Sequence, residues 1–261
     1  MKHFLQYMRD LWRRKDLLLY LVTSGLKADT RNTFLGYFWW VLDPMLMVLV
    51  FAFLRVVFLG MTGEHLIAFL AVGLIVFRHF SQNLTGSARS ITGQAGIISQ
   101  VYLPKAMFPF GVVLTQLVNF AFAFVVIAVI FAVSGIVPGL EAAWLPVIVV
   151  SQVLFHMIIA MVMAYVAAFV RDLERILGHF NRMLRFTAPV IWEADRLPDK
   201  FQWILDVNPF AWLVMAYRDV LMYGQVPDMT RIICLGAVSL VLTAAMLIFY
   251  SYNEHRIIKV L

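Results

Sequence analysis

The chain has 261 residues, 62% of them hydrophobic, with a mean hydropathy of +0.85 and a formal net charge of +6. A soluble globular domain is nearer half apolar, so this composition indicates a polytopic membrane protein, and the excess cations are expected at the cytoplasmic surface and anionic lipid rather than on nucleic acid. A lone cysteine, Cys234, excludes an intramolecular disulfide, and no C-x-x-C or His/Cys cluster suggests a metal.

The first segment, KHFLQYMRDLWRRKDLLLYLV, sets Phe4, Met8, Leu11 and Trp12 at helical spacing, with Arg9, Arg13 and Arg14 largely off that stripe. This pattern predicts a basic amphipathic helix lying in the inner membrane interface. Its apolar run LLLYLV is too short for a signal-peptide core or a span, so no signal peptide is expected. A second piece, 24–33, carries Lys27 and Arg31. Residues 1–33 form an interfacial N-terminal region, and 34–261 a transmembrane domain.

Spans are expected near 36–59, 66–86, 106–133, 144–170 and 231–251, each long enough to cross a hydrocarbon core of roughly 30 Å. The segment RDLERILGHFNRMLRFTAPVIW is harder to place, because it carries four arginines. The basic stretch 171–185 and the basic end NEHRIIKVL both belong on the cytoplasmic side, with a single clear apolar span between them. Parity therefore asks for a further crossing, a polar-faced fifth helix near 176–192 whose arginines face protein or water. The following LPDKFQWILDVNPFAWLVMAYRDVLMYG is apolar but broken by Asp206 and Asn208-Pro209, which predicts short re-entrant or interfacial helices on the outer side. The fold class is thus all-α with six transmembrane helices and both termini inside. Lys2, Arg9, Arg13, Arg14, Lys15, Lys27, Arg31, Arg89, Lys105, Arg171, Arg175, Arg256 and Lys259 fall inside, whereas Arg196, Lys200 and Arg218 are expected in the long outer loop.

Four motifs, LGYFWWVLDP, VYLPKAMFPF, RDLERIL and NPFAWLVMAYRDVLMYG, occur in this order across nearly the whole chain. Together they resemble the permease subunits of ABC-2 type exporters, most closely those that move lipid-linked polysaccharide or wall teichoic acid, the O-antigen-like exporters. Family members often carry Asn-Pro or Trp-Pro where this chain has Asp43-Pro44, and an aromatic or neutral residue near the position of Arg78. The resemblance implies a homodimeric half-transporter in the bacterial plasma membrane, paired with two separate ATPase subunits that bind ATP and Mg. Its cargo would be a polymer linked to undecaprenyl diphosphate or a similar polyprenyl carrier, with export of a smaller drug or lipid as the alternative. Independently, the chain has no G-x-x-x-x-G-K-[ST] phosphate loop, so ATP-driven transport would need another polypeptide and this chain would hold no cofactor and be no enzyme by itself. A membrane-embedded transferase would need a clustered acid/base or metal constellation, and the sequence shows neither D-x-D nor paired carboxylates with a histidine.

Candidate sites follow, each with a structural alternative. Tyr37, Phe38, Trp39 and Trp40, with Phe34, spread over more than one helical turn. Some of these rings would form an interfacial belt, and others could face a pathway in which sugar C–H faces stack loosely. Asp43 could line that pathway or cap a helix restarting after Pro44. Arg78 lies roughly 18 Å into the second span, and with His79, Arg182 and Arg185 could receive a lipid diphosphate from the inner leaflet. The alternatives for Arg78 are snorkelling and an ion pair with Asp172 or Glu174. His156, in the fourth span, is expected to be a hydrogen-bonded interior residue. The segment SARSITGQAGIISQVYLPK is where the resemblance places a short cytoplasmic coupling helix, flanked by Gly93 and Gly96 and stopped by Pro104. Ile97, Ile98, Gln100, Val101 and Tyr102 would meet the ATPase there; an ordinary connecting loop is the alternative.

Overall fold

The computed structural model describes residues 2–30, 33–58, 60, 63 and 65–260. Arg31, placed inside above, lies outside the described residues. Helices α1 (Lys2–Arg13) and α2 (Lys15–Thr30) form the N-terminal region. Tyr7 is the buried anchor of α1, whereas Met8 and Trp12 of the expected stripe are exposed. The LLLYLV run is not a separate element; it sits inside α2, which packs along α6.

Five helical segments among the described residues are long and apolar enough to cross a membrane. A 3-10 turn (Gly36–Phe38), α3 (Trp39–Phe53) and a widened turn (Leu54–Phe58) make the first. Helix α3 runs through Pro44 without restarting, so Asp43 is an interior helical residue and not a cap. The others are α4 (Leu66–Thr92), α6 (Met107–Ser134), α7 (Leu145–Phe169, led in by Leu140–Trp144) and α11 (Met229–Ile258). Helix α4 is the axis of the bundle. In its most apolar stretch 72% is buried, against 22–39% in the other four. It packs on α3, α6, α7, α8 and α10, while α11 packs on α7. At the α7–α11 seam Gly236 has no side chain to collide with Ser151, which lets the two backbones approach.

The four-residue helix α5 (Ala95–Ile98) follows α4. Helix α8 (Leu173–Thr187) has 15 residues, or about 22 Å, and stops short of the expected 192. It buries Leu177, Asn181 and Leu184, with strong amphipathicity that keeps Arg175 and Arg182 off the packed face. The chain continues as buried, non-helical Ala188, Pro189 and Val190. Backbone groups buried away from water need partners. Arg218 supplies them: it is buried and donates to the Pro189 carbonyl, to Val190 O at 2.7 Å and to Phe69 O at 3.2 Å. Arg218 is therefore no outer-loop surface cation, as the charge pattern had placed it. Gly73 on α4 makes this packing possible, because a Cβ there would collide with Val190 O and the Arg218 guanidinium.

Short helices α9 (Trp203–Val207) and α10 (Pro209–Arg218) occupy the apolar but broken segment. Asn208 caps α10, its side-chain oxygen accepting from Phe210 N at 3.1 Å and Ala211 N at 3.4 Å, with Pro209 at the first helical position. Such a cap is worth about 1 kcal/mol, and proline there loses no hydrogen bond. A smaller core at the opposite end gathers Tyr7, Ile91, Ile98, Leu103, Phe108, Met161, Tyr250 and Ile257 from α1, α4–α7 and α11.

Candidate substrate cleft and coupling face

Helices α3, α4 and α6 each turn one polar face toward a common cleft of about 210 Å³. Trp39, Trp40 and Asp43 come from α3; Arg78, His79 and Gln82 from α4; Gln116 and Asn119 from α6. Spacings of three and four residues put each set on one side of its helix. Arg78 donates to Asp43 Oδ2 at 3.0 Å, with side-chain exposures of 27% and 46%. The pair forms neither with Asp172 nor with Glu174, which meet Arg175 and Arg89 instead. In this half-exposed site each member is the other's ion-pair partner, and removing one leaves the other without it.

Trp40 is wedged between Tyr37, edge-on at 4.9 Å, and Phe122 at 4.8 Å. Tyr37 and Phe38 are more than half exposed and line no part of the cleft. The aromatic entry thus divides, Trp39 and Trp40 facing the cleft and Tyr37 and Phe38 the outside.

Within the cleft wall His79 is almost fully buried and stacks on Phe120 at 4.2 Å. The Gln152 amide donates to His79 Nδ1 at 2.9 Å, which leaves the ring proton on Nε2, and Tyr217 O–H donates to Gln152 Oε1. His156 is interior but differs from the expectation in its bonding. Neither ring nitrogen has a hydrogen-bond partner among the described residues, and the ring is held by edge contacts with His79 at 4.6 Å and Phe80 at 5.6 Å. Arg182 and Arg185 do not join the cleft. Arg182 is exposed and bonded to His179 at 2.9 Å, while Arg185 lies over the Phe77 ring at 4.8 Å and the Phe51 ring at 5.6 Å.

At the other end of α4, Ile97, Gln100, Val101 and Tyr102 are exposed. Ile98 is not: it is 3% exposed and packs into the inner core, so its side chain is unavailable to a partner. Tyr102 is tied down on three sides. Its hydroxyl donates to Glu254 Oε1 at 2.7 Å, Arg14 donates to its carbonyl, and the Lys105 ammonium sits 5.1 Å over its ring. Glu254 also accepts from Lys105 N at 3.0 Å. Burial, with Glu254 beside them, pushes the Tyr7 and Tyr102 phenols upward, so both stay protonated donors; burial holds Lys105 below its ordinary value, an effect Glu254 opposes. One carboxylate thus fastens the 95–105 segment to α11.

A family model for "ABC-2 type transporter" matches residues 16–222, a stretch that contains both the cleft and the coupling face. The chain belongs to the ABC-2 type transporter family. Among its relatives are two proteins named O-antigen export system permease protein RfbA from Klebsiella pneumoniae. They are 28% and 27% identical over 247 residues, 94% of this chain and 95% of each relative. A third of the same name, from Myxococcus xanthus, is 30% identical over 253 residues, 96% of this chain and 97% of its own. Members of the ABC-2 family are membrane permeases that work with an ATPase subunit, so this one is a multi-pass membrane protein with such a partner.

For an ABC-2 permease, the residues missed by reading the sequence are informative. Gln82, Gln116, Asn119, Gln152 and Tyr217 were not singled out. A signal did exist, since amides inside apolar spans are expensive and mark cavities or partners, but it is weaker than that of a charge.

Proposed function

We propose that the chain is the permease of an ATP-driven exporter of lipid-linked polysaccharide. It would act as a homodimer with two ATPase subunits that bind ATP and Mg, with both termini cytoplasmic in a bacterial plasma membrane. Relatives matched over almost their whole length are named for O-antigen export, which favours an O-antigen-type glycan over wall teichoic acid and over a drug or lipid. The observation that carries the reading is the cleft, where tryptophans and amides surround a salt bridge rather than a greasy lining. Rings hold sugar faces loosely, amides exchange hydroxyl partners, and Arg78 is the cation a carrier diphosphate would engage by displacing Asp43. His79 is part of that wall, beside Arg78. Arg182, exposed on α8, would meet the head group before the cleft, and Arg185 braces α8 on α3 and α4 through its ring contacts.

Coupling would run through Ile97, Gln100, Val101 and Tyr102, with Ile98 as the internal anchor. The full-length protein co-expressed with its cognate ATPase should purify as a two-plus-two complex, and alone it should hydrolyse no ATP. Ile97→Ala with Val101→Ala should lower complex yield at unchanged thermal stability, because exposed apolar anchors carry much of an interface's energy. Ile98→Ala should instead lower stability by about 2–5 kcal/mol. Hydrolysis by the lone chain, or full complex yield in the Ile97/Val101 variant, would contradict this assignment.

A further inference from the structure

A second cleft, about 240 Å³, lies at the end of the bundle remote from the coupling face, where α4 and α11 begin and α10 ends. Trp212 and Tyr223 form an aromatic wall, and Glu193, Asp195, Asp219 and Asp228 supply carboxylates. Their partners sort the charges into committed and free. Arg196 holds Glu193 at 2.7 Å, with Arg55 nearby. Arg231 holds both Asp228 and Asp206 at 3.0 Å. Asp195 and Asp219 make no hydrogen bond or ion pair through their side chains with any described residue. Arg218, which also lines this cleft, is 3% exposed; its terminal nitrogens bind three backbone carbonyls, yet its Nε has no partner. A buried N–H without a partner is uncommon in a folded protein and asks for an acceptor.

Two carboxylates without hydrogen-bond partners among the described residues, the unpartnered Arg218 Nε and an aromatic wall suit one chemistry. Vicinal hydroxyls donate to carboxylates and accept from Arg Nε, while the C–H face of a pyranose covers a ring. Arg231 is held by Asp206 and Asp228, and Arg218 is held by backbone carbonyls with Asp219 as a nearby counter-charge, so an anion entering here would meet Asp195 and Asp219 and compete with them for those cations. We infer that this cleft is a binding site for an uncharged sugar residue, and that it disfavours phosphate-bearing polymer units. The inference rests on the polysaccharide reading and narrows it: a neutral glycan passes this end of the bundle, and a polyol-phosphate chain does not bind there.

Binding is tested on the full-length permease in nanodiscs, without ATPase or transport, so its outcome is separate from that of the export assay. The probes are methyl glycosides of glucose, galactose, mannose and N-acetylglucosamine, the 6-phosphate of whichever binds, and choline, followed by saturation-transfer NMR and titration calorimetry. At least one neutral glycoside should bind saturably, with its 6-phosphate weaker by about tenfold or more. Asp219→Asn, which keeps the side-chain shape, and Asp195→Asn, at an exposed position, should each weaken that binding by a similar factor at unchanged melting temperature. Should Asp219→Asn fail to fold, Asp195→Asn decides alone. The inference is overturned if no glycoside binds, if the phosphate ester binds as well as its parent, if choline alone binds, or if the folded variants bind like wild type.

Discussion

Arg78 and Asp43 stand 35 residues apart in the chain and 3.0 Å apart in space. Each was conspicuous alone as a charge within an apolar stretch, but the pairing depends on how α3 lies against α4, which no local pattern encodes. Arg218 shows the reverse limit. It looked like a loop cation because nothing nearby in sequence reveals that 188–190 would leave helical geometry and need donors. The Asp43–Arg78 pair separates two roles by experiment. Arg78→Gln strands a carboxylate and, given the pair's partial exposure, should cost about 1 kcal/mol of stability. Asp43→Asn in the same chain should restore most of it, leaving no unpaired charge. If Arg78 also binds the carrier diphosphate, the half-saturating concentration of lipid-linked substrate should rise about tenfold in Arg78→Gln and stay raised in the double variant. Substrate-stimulated ATP hydrolysis by the reconstituted complex, beside melting temperature, reads both. Recovery of substrate response in the double variant would leave the pair purely structural.

Among the elements, the long apolar helices were legible from composition, and the start of α10 from Asn208-Pro209, because cap and proline act locally. Helix α8 was legible as amphipathic but not in length. Nothing in TAPVIW announces that the helix ends at Thr187, since the ending is fixed by Arg218 and by the space at Gly73. Gly73 therefore offers the sharpest element-scale prediction. Gly73→Ala should lose about 1–3 kcal/mol, with lower folded yield, because the added methyl meets a backbone carbonyl that cannot rotate away. Gly96→Ala is the control: a Cβ there meets nothing within 4 Å, so it should be neutral or slightly stabilising. Denaturation of the two purified variants in one detergent makes the comparison, and equal stabilities would contradict the close approach of Val190 to α4.

In the whole molecule, three regions follow one another along α4: the carboxylate-rich cleft near its start, the paired-charge cleft at its middle, and the segment tied to α11 by Glu254 at its end. Helix α4 is also the most enclosed of the long helices, so it is the element through which movement at the coupling segment would reach both clefts. The claim at the centre of this account is ATP-driven export of a lipid-linked polysaccharide through this permease. It is tested most directly in proteoliposomes holding the permease and its cognate ATPase, loaded with the lipid-linked glycan on the ATP-accessible face. Appearance of the glycan on the opposite face is followed with a membrane-impermeant lectin. The account predicts transfer that requires ATP and both subunits and is depressed by Arg78→Gln at limiting substrate; ATP hydrolysis without glycan transfer, or transfer by the permease alone, would contradict it.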